Sequence, residues 1–414
     1  MTSQPESSAA ILLSSPWRTA FALALFCALM MVTTRPLQAQ TFTVLHNFTG
    51  GGDGANPMSS LIRDRSGDFY GTTEAGGLDY DGTVFKLSDR GSGWIVTPLY
   101  AFHGYDGANP QLGLILGPDG TLYGTTANGG QNSLGSIYNL RPPATACVSV
   151  SCPWSETVLY SFTGSDSGDP TGSLIFDQSG NLYGTAFGSH TSDRKQLAEG
   201  PGCVWELVHS EGMWTINVLF GFTSGNGLNP AGGVIFDQAG NLYGTTLIGG
   251  DGAVGTVFEL TPLGSGIWAD QTLHSFSSQG VYPEAGLTAD HSGNMYGATY
   301  SPGYAFELTP SGGGWSFNTI SELTGALGPA ADLTIDSQGN LYGTNLEGGS
   351  GKGNVFKLTQ SNGVWTLTDL YDFTGGSDGE YPSGSVTLDA SGNLYGTASQ
   401  AGAYGYGTVW EITP

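Results

Sequence analysis

The sequence predicts an all-β protein, a seven-bladed β-propeller of four-stranded antiparallel blades closed by an N-terminal strand at 42–48. Three observations predict it. Glycine takes 68 of the 414 positions and proline 20, yet 39% of residues are hydrophobic, so the chain is rich in turns and still has ample core material. A phrase close to Leu-Tyr-Gly-Thr recurs seven times, placing its tyrosine at Tyr70, Tyr123, Tyr183, Tyr243, Tyr296, Tyr342 and Tyr395. Between those tyrosines the apolar residues fall in short runs bounded by turn formers, with no 3.6-residue period.

The first element in the chain is a targeting segment. Arg18 precedes an uncharged stretch at residues 20–32, and Arg35 and Pro36 lead into Leu37, Gln38 and Ala39. A basic flank, an apolar run and small residues before a cleavage point read as a secretory signal over 1–39, leaving a single domain at 40–414. The competing reading, a membrane anchor, needs ~20 apolar residues and this run is shorter. Cys27 lies within it without lipoprotein-signal residues around it. Charged residues are only 11% of the chain, but the formal net charge is −24. Removing 1–39 takes away two bases and one acid, which makes the remainder still more acidic. Such a surface repels nucleic acid and anionic membranes.

Each repeat then reads as one sheet. In the unit at 223–276, residues 233–237 (Gly-Val-Ile-Phe-Asp) form a short apolar run, strand A. Residues 238–241 form a turn around Gly240, 242–246 form strand B, and 255–260 form strand C after a Gly-rich loop. Residues 268–276 form strand D. A lone sheet leaves two faces and two edges uncovered, and radial stacking of seven such sheets covers the faces and leaves only short edges. A solenoid is the alternative for any repeat. The chain ends favour the ring: the last unit stops at a C strand, 407–412, and residues 42–48 read as an orphan D strand able to complete it. The tryptophans keep the same register. Trp94, Trp154, Trp214, Trp268, Trp315 and Trp365 each stand eight positions before the last apolar residue of strand D, and eight before Phe48 is Gln40. These rings are expected to pack between blades.

With the units aligned, the chain resembles the GloVer (Gloeobacter/Verrucomicrobium) tandem-repeat family of secreted bacterial proteins. The shared text is the Asp-x-x-Gly-Asn-Leu-Tyr-Gly-Thr phrase at 177–185, the Gly-Gly pair at 249–250, Gly-Thr-Val-Phe-Glu-Leu at 255–260 and Val-Leu-Tyr-Ser-Phe at 158–162. The resemblance spans nearly all of 42–414. It implies an extracytoplasmic propeller and assigns no reaction. The C-terminal anchors carried by members of that family have no counterpart before Pro414.

Two loop sets share each face of a propeller. The Asp-x-x-Gly turns starting at Asp64, Asp177, Asp237, Asp290, Asp336 and Asp389 are A–B turns, and their regularity reads as hairpin chemistry. The D–A loops carry the candidate ligand-binding residues Asp53, Asn56, Asp106, Asn109, Asp166, Asp169, Asn229 and Asp378. Carboxylate and amide oxygens separated by glycine admit calcium, although the twelve-residue calcium loop is absent and the same residues are ordinary turn formers. The B–C loops on that face are unequal. Blade 3 has a long one at 190–202 with Arg194 and Lys195, and blade 5 has almost none, which suggests a cleft with Arg194 and Lys195 on its wall.

Catalytic signatures are thin. No two histidines share metal-ligand spacing, and His46 and His274 occupy a strand D slot filled elsewhere by aromatic rings. Neither a Gly-x-Ser-x-Gly elbow nor a phosphate loop is present. Cys147 and Cys152 lie in one C–D loop and are expected to form a disulfide, whereas Cys203 begins strand C near the opposite face and is expected to stay reduced. The sequence thus points to a secreted, extracellular or periplasmic, non-catalytic binding or scaffold module, a monomer that binds glycans or a protein surface. Nucleic acid and, after cleavage, membrane insertion are not expected. The rival is an extracellular carbohydrate-active hydrolase or lyase using carboxylates on the loop face.

Overall fold

The structure is a computed structural model that describes residues 40–143, 154–188, 200–277, 281–323, 325 and 327–414. Its strands form seven four-stranded antiparallel sheets. In six of them the strands follow chain order, as in blade 4: Ile235–Phe236, Leu242–Thr246, Thr256–Gly264 and Ile267–Ser275. The seventh combines Thr387–Leu388, Leu394–Ala398 and Thr408–Thr413 with the N-terminal strand Thr41–Asn47, which takes the outer place. This is a closed seven-bladed propeller. The Phe48 N–H donates to the Gly407 carbonyl at 3.1 Å, the same rung that Phe276 makes with Gly255 at 3.0 Å. Apart from Thr41, these strands lie in one compact unit, Phe42–Thr413.

Strand A departs from expectation. The sequence reads as a five-residue run, but only two residues pair with strand B in every blade, as Ile235 and Phe236 do with Tyr243 and Leu242. The residue before the pair, Val234 in blade 4, is buried in the core. The main chain preceding it lies near the ring axis, where the neighbouring blade claims its carbonyls. Thr245 Oγ1 donates to the Ala285 carbonyl of blade 5 at 2.7 Å, and Thr185 to Gly232 of blade 4 at 2.9 Å.

Each position of the repeated phrase has a structural task. The leucine is fully buried, as at Leu182 and Leu242. The tyrosine ring packs under the tryptophan of the next blade, with centroids 6.0 Å apart for Tyr70 and Trp154 and 5.6 Å for Tyr243 and Trp315. Its hydroxyl donates to the A–B turn aspartate, 3.1 Å from Tyr243 to Asp237. The glycine lies under an aromatic ring of strand C. A Cβ on Gly244 would sit 2.6 Å from Phe258, and one on Gly71 2.7 Å from Phe85. The threonine makes the inter-blade bond just described. Seven core clusters result, each drawing on two adjacent blades, such as Tyr183, Val204 and Phe222 with Val234, Leu242 and Phe258. Blade 7 lacks the tryptophan, and there Phe42 stacks on Tyr371 at 3.8 Å with rings 6° apart.

Candidate functional site

The D–A loop aspartates face inward and hold their own loops. Asp106 accepts from Tyr100 Oη at 2.5 Å and from the His103 N–H at 2.9 Å, while Asp378 accepts from Tyr371 Oη at 3.0 Å and the Thr374 N–H at 2.8 Å. Asp166 accepts from Tyr160 Oη and, at 2.9 Å, from the Thr163 N–H. In the loop before blade 1 His46 stands in the tyrosine slot, and its Nε2 lies 3.2 Å from Asp53. Burial pushes the His46 imidazole below its ordinary value, partly offset by the Asp53 hydrogen bond. His274, in the same slot of blade 4, instead stacks on Phe317 at 3.6 Å.

The remaining loop candidates set the backbone. Asn56, Asn109, Asp169 and Asn229 all adopt left-handed φ values of 51 to 56°, where Asn and Asp are tolerated better than most residues. Asn109 Nδ2 then donates to the Glu74 carbonyl at 3.1 Å, Asn56 to that of Ser399 at 3.1 Å and Asn229 to that of Phe187 at 2.8 Å. These bonds tie each D–A loop to the B–C loop of the preceding blade and confirm that both sets share one face. The candidates are distributed around the ring, blade by blade, and do not converge on one centre. Arg194, Lys195, Cys147, Cys152 and the signal segment 1–39 lie outside the described residues. Cys203 is free and buried, its Sγ 3.4 Å from the Asp166 carbonyl, and burial pushes the thiol up to about 11. In blade 5, strand B (Met295–Tyr300) turns almost directly into strand C (Gly303–Ser311), so the rim is low there. Among the described residues no group of three or more His, Cys, Asp or Glu side chains is placed to hold a metal ion.

What does converge is a cavity of about 330 Å³ on the ring axis, on the D–A and B–C side. Every blade contributes to it the residue just after its loop proline: Met58, Gln111, Thr171, Ala231, Glu284, Ala330 and Ser383. Two positions further on, Ser60, Gly113, Ser173, Gly233, Asp332 and Ser385 also line it. Phe187 and Leu247 add apolar surface, and the carboxyls of the lining come from three blades, Asp169 from blade 3, Glu284 from blade 5 and Asp332 from blade 6. Among the described residues no Lys, Arg or His lines the cavity.

Asp332 is the side chain that breaks the ring of small residues. Its Oδ1 accepts the Gly286 N–H of blade 5 at 2.6 Å, and enclosure by protein raises its carboxyl pKa while that hydrogen bond opposes the rise. The bond stands at a joint where the usual hydroxyl is missing, since strand B of blade 5 carries Ala298 where other blades carry the donating threonine. The cavity therefore offers hydroxyls, an amide and carboxyls within walls that are otherwise small or apolar. Of the loop candidates read from the sequence, only Asp169 among the described residues lines it. The available signal was that residues after the proline vary from blade to blade while the text on both sides repeats.

A protein-family model described as the Gloeobacter/Verrucomicrobia repeat matches residues 31–197, 147–304 and 299–414. No curated protein matches the chain. Among solved structures it is similar to a candidate 6-phosphogluconolactonase from Bacteroides uniformis, at 15% identity and a TM-score of 0.50, over 76% of this chain and 84% of that one. It is also similar to the extracellular domain of a candidate one-component system from B. thetaiotaomicron, at 12% identity and a TM-score of 0.52. That match covers 91% of this chain and 42% of the other. At such identities the likeness is one of fold. Among the described residues no helix is long and apolar enough to cross a membrane.

Proposed function

The chain belongs to the Gloeobacter/Verrucomicrobia repeat family, and from that premise we propose that it is a secreted, non-catalytic binding propeller. Its ligand is an uncharged polyhydroxylated group, a glycan end, held in the axial cavity. The carrying observation is the composition of that cavity. Its volume lies at the small end of the ~300–1,000 Å³ range of ligand pockets, and its polar groups are hydroxyls, an amide and carboxyls. A neutral sugar hydroxyl both donates and accepts, and so suits this mixture. Among the described residues no basic side chain of this cavity meets an anionic group such as a phosphate. The net charge of −24 further disfavours anionic ligands. The basic flank and apolar run before residue 39 support export, and a monomer suffices because one ring builds the whole cavity.

Titration calorimetry with neutral mono- and oligosaccharides, and with uronic and phosphorylated sugars as controls, tests this. Neutral ligands bind and anionic ones do not. Asp332→Ala weakens binding by roughly tenfold, the scale of one lost hydrogen bond to a carboxyl group. Ala231→Leu, which narrows the cavity without removing a polar contact, also weakens it. Equal affinity in both variants sinks the proposal.

One observation favours a second reading. A carboxyl held above its ordinary pKa and facing a cavity with two other carboxyls is the equipment of a general acid in glycoside cleavage. If sugar ends are released, and Asp332→Ala stops their release while ligand still binds, the protein is a hydrolase or lyase.

A further inference from the structure

We infer that a second surface, a belt of tyrosines on the rim of blades 7, 1 and 2, holds an extended uncharged polysaccharide chain. Tyr404 and Tyr406 sit in the B–C loop of blade 7, Tyr80 in that of blade 1, and Tyr105 in the D–A loop entering blade 2. They are 62, 44, 73 and 73% exposed. Elsewhere on this face, among the described residues, the only comparable aromatic is Tyr282 at 37%. The other exposed large apolar side chains, apart from Leu78 within the belt, lie on the outer strands and their hairpins.

Contacts between neighbouring loops join the four rings into one surface. The Tyr406 ring covers Gly50, where a Cβ would meet it at 2.7 Å. The Gly77 N–H donates to the Gly51 carbonyl at 2.9 Å, which seats the loop of Tyr80 against the loop that Tyr406 covers. His103 Nδ1 lies 2.6 Å from Asp79, and the Tyr105 ring is parallel to His103 at 6.0 Å. Tyr80 adopts φ 66°, a conformation that bulky side chains avoid, and it does so with its ring in solvent. Folding gains nothing from that placement.

The chemistry turned outward selects the occupant. The loops at 49–57, 74–82, 103–110 and 400–407 contain no lysine or arginine. Four of their five carboxylates are engaged within the protein, Asp53 with Thr49 and His46, Glu74 with Gln111, Asp79 with His103 and Asp106 with Tyr100, and the fifth, Asp81, lies beside Asp79 and Asp106. What remains outward is a row of flat rings with phenolic hydroxyls. Such rings stack on the C–H faces of sugars and hydrogen-bond their edges, they repay no anion, and the engaged acids leave little for a cationic peptide. The belt is separate from the axial cavity and does not rest on its ligand.

The test is retention of residues 40–414 on insoluble neutral polysaccharides (cellulose, chitin, xylan and β-1,3-glucan), with affinity electrophoresis in their soluble forms. At least one neutral polymer retains the protein, and Tyr80→Ala with Tyr105→Ala weakens retention by roughly tenfold. Tyr80→Phe with Tyr105→Phe keeps most of it. Tyr406 is left intact because its ring supports Gly50, and unchanged thermal melting shows that the variants fold. Titration calorimetry of the Tyr80→Ala, Tyr105→Ala variant with neutral monosaccharides reads the axial cavity by itself, so failure of the belt and failure of the cavity reading are told apart. Retention by none of these polymers, or equal retention of the alanine variant, overturns the inference. Binding instead to a basic peptide, lost in salt, overturns it in favour of a cationic partner.

Discussion

Glu156 carries a carboxyl into a position that most blades fill with hydrocarbon, since Val96, Ile216, Phe317 and Leu367 stand at the same place in strand D and only blade 4 has another acid there, Asp270. Its Oε1 is buried without a hydrogen-bond partner, and desolvation, reinforced by Asp106, pushes the carboxyl up to about 7. The unfolded chain titrates near the ordinary glutamate value of ~4.3. Between those two pH values the folded protein binds more protons than the unfolded one. Stability therefore falls as pH rises through that window, and the full penalty is present above it. The complete linkage would amount to about 3 kcal/mol, but the side chain is partly hydrated, which reduces it to ~1–2 kcal/mol. Glu156→Leu is expected to raise unfolding stability by that amount at pH 8 and by almost nothing at pH 4, as read from denaturant midpoints. An unchanged pH dependence would contradict the assignment. Charge at this position was visible in the sequence, but its burial was not, because that depends on which neighbouring blade covers it.

Among the elements, the A–B hairpins were the most legible. Asp237 accepts from the N–H groups of Ala239 and Asn241 at 2.8 and 2.9 Å, and Asp119 does the same for Thr121 where blade 2 shifts the turn residue. These bonds are local, so spacing alone reveals them. The Gly of the repeated phrase was legible as a repeat but not as a packing requirement. Gly244→Ala drives a methyl into the Phe258 ring and is expected to cost about 1–3 kcal/mol, whereas Gly240→Ala, in open space at φ 88°, meets only the backbone penalty of ~1–2 kcal/mol. Pairing Gly244→Ala with Phe258→Leu should recover part of the loss, and strict additivity in that double-mutant cycle would refute the contact. The D–A loops show their turn formers in the sequence, but the inward aim of Asp106, Asp166 and Asp378 follows from a strand D tyrosine six or seven residues earlier. Turn propensity carries no such direction.

At the scale of the whole molecule, the ring was predictable because a missing D strand at one end matched an extra one at the other. The axial cavity was not, because seven segments far apart in sequence meet there only after closure. Asp332 in particular reads as an ordinary strand flank within Ala-Ala-Asp-Leu-Thr. Closure also sets cooperativity. Without Thr41–Asn47, blade 7 exposes the edge of Thr408–Thr413, an open template for other chains. A chain starting at residue 49 is expected to melt lower and self-associate by gel filtration, and a peptide of residues 40–48 should restore the monomer. A shortened chain that melts like the full domain would show that the outer strand is dispensable.

The pairing of the first strand with the last has a topological consequence. Because Phe48 meets Gly407 in the same rung that other blades make inside one hairpin, Thr41–Asn47 and Thr408–Thr413 are related as any C and D strands are. A short turn joining Thr413 to Thr41 would make blade 7 equivalent to its neighbours and leave a covalent circle. The propeller is then indifferent to which of its outer hairpins is cut, and circular permutants opened at the 311–314 turn have the same blades, joints and axis under a different reading order.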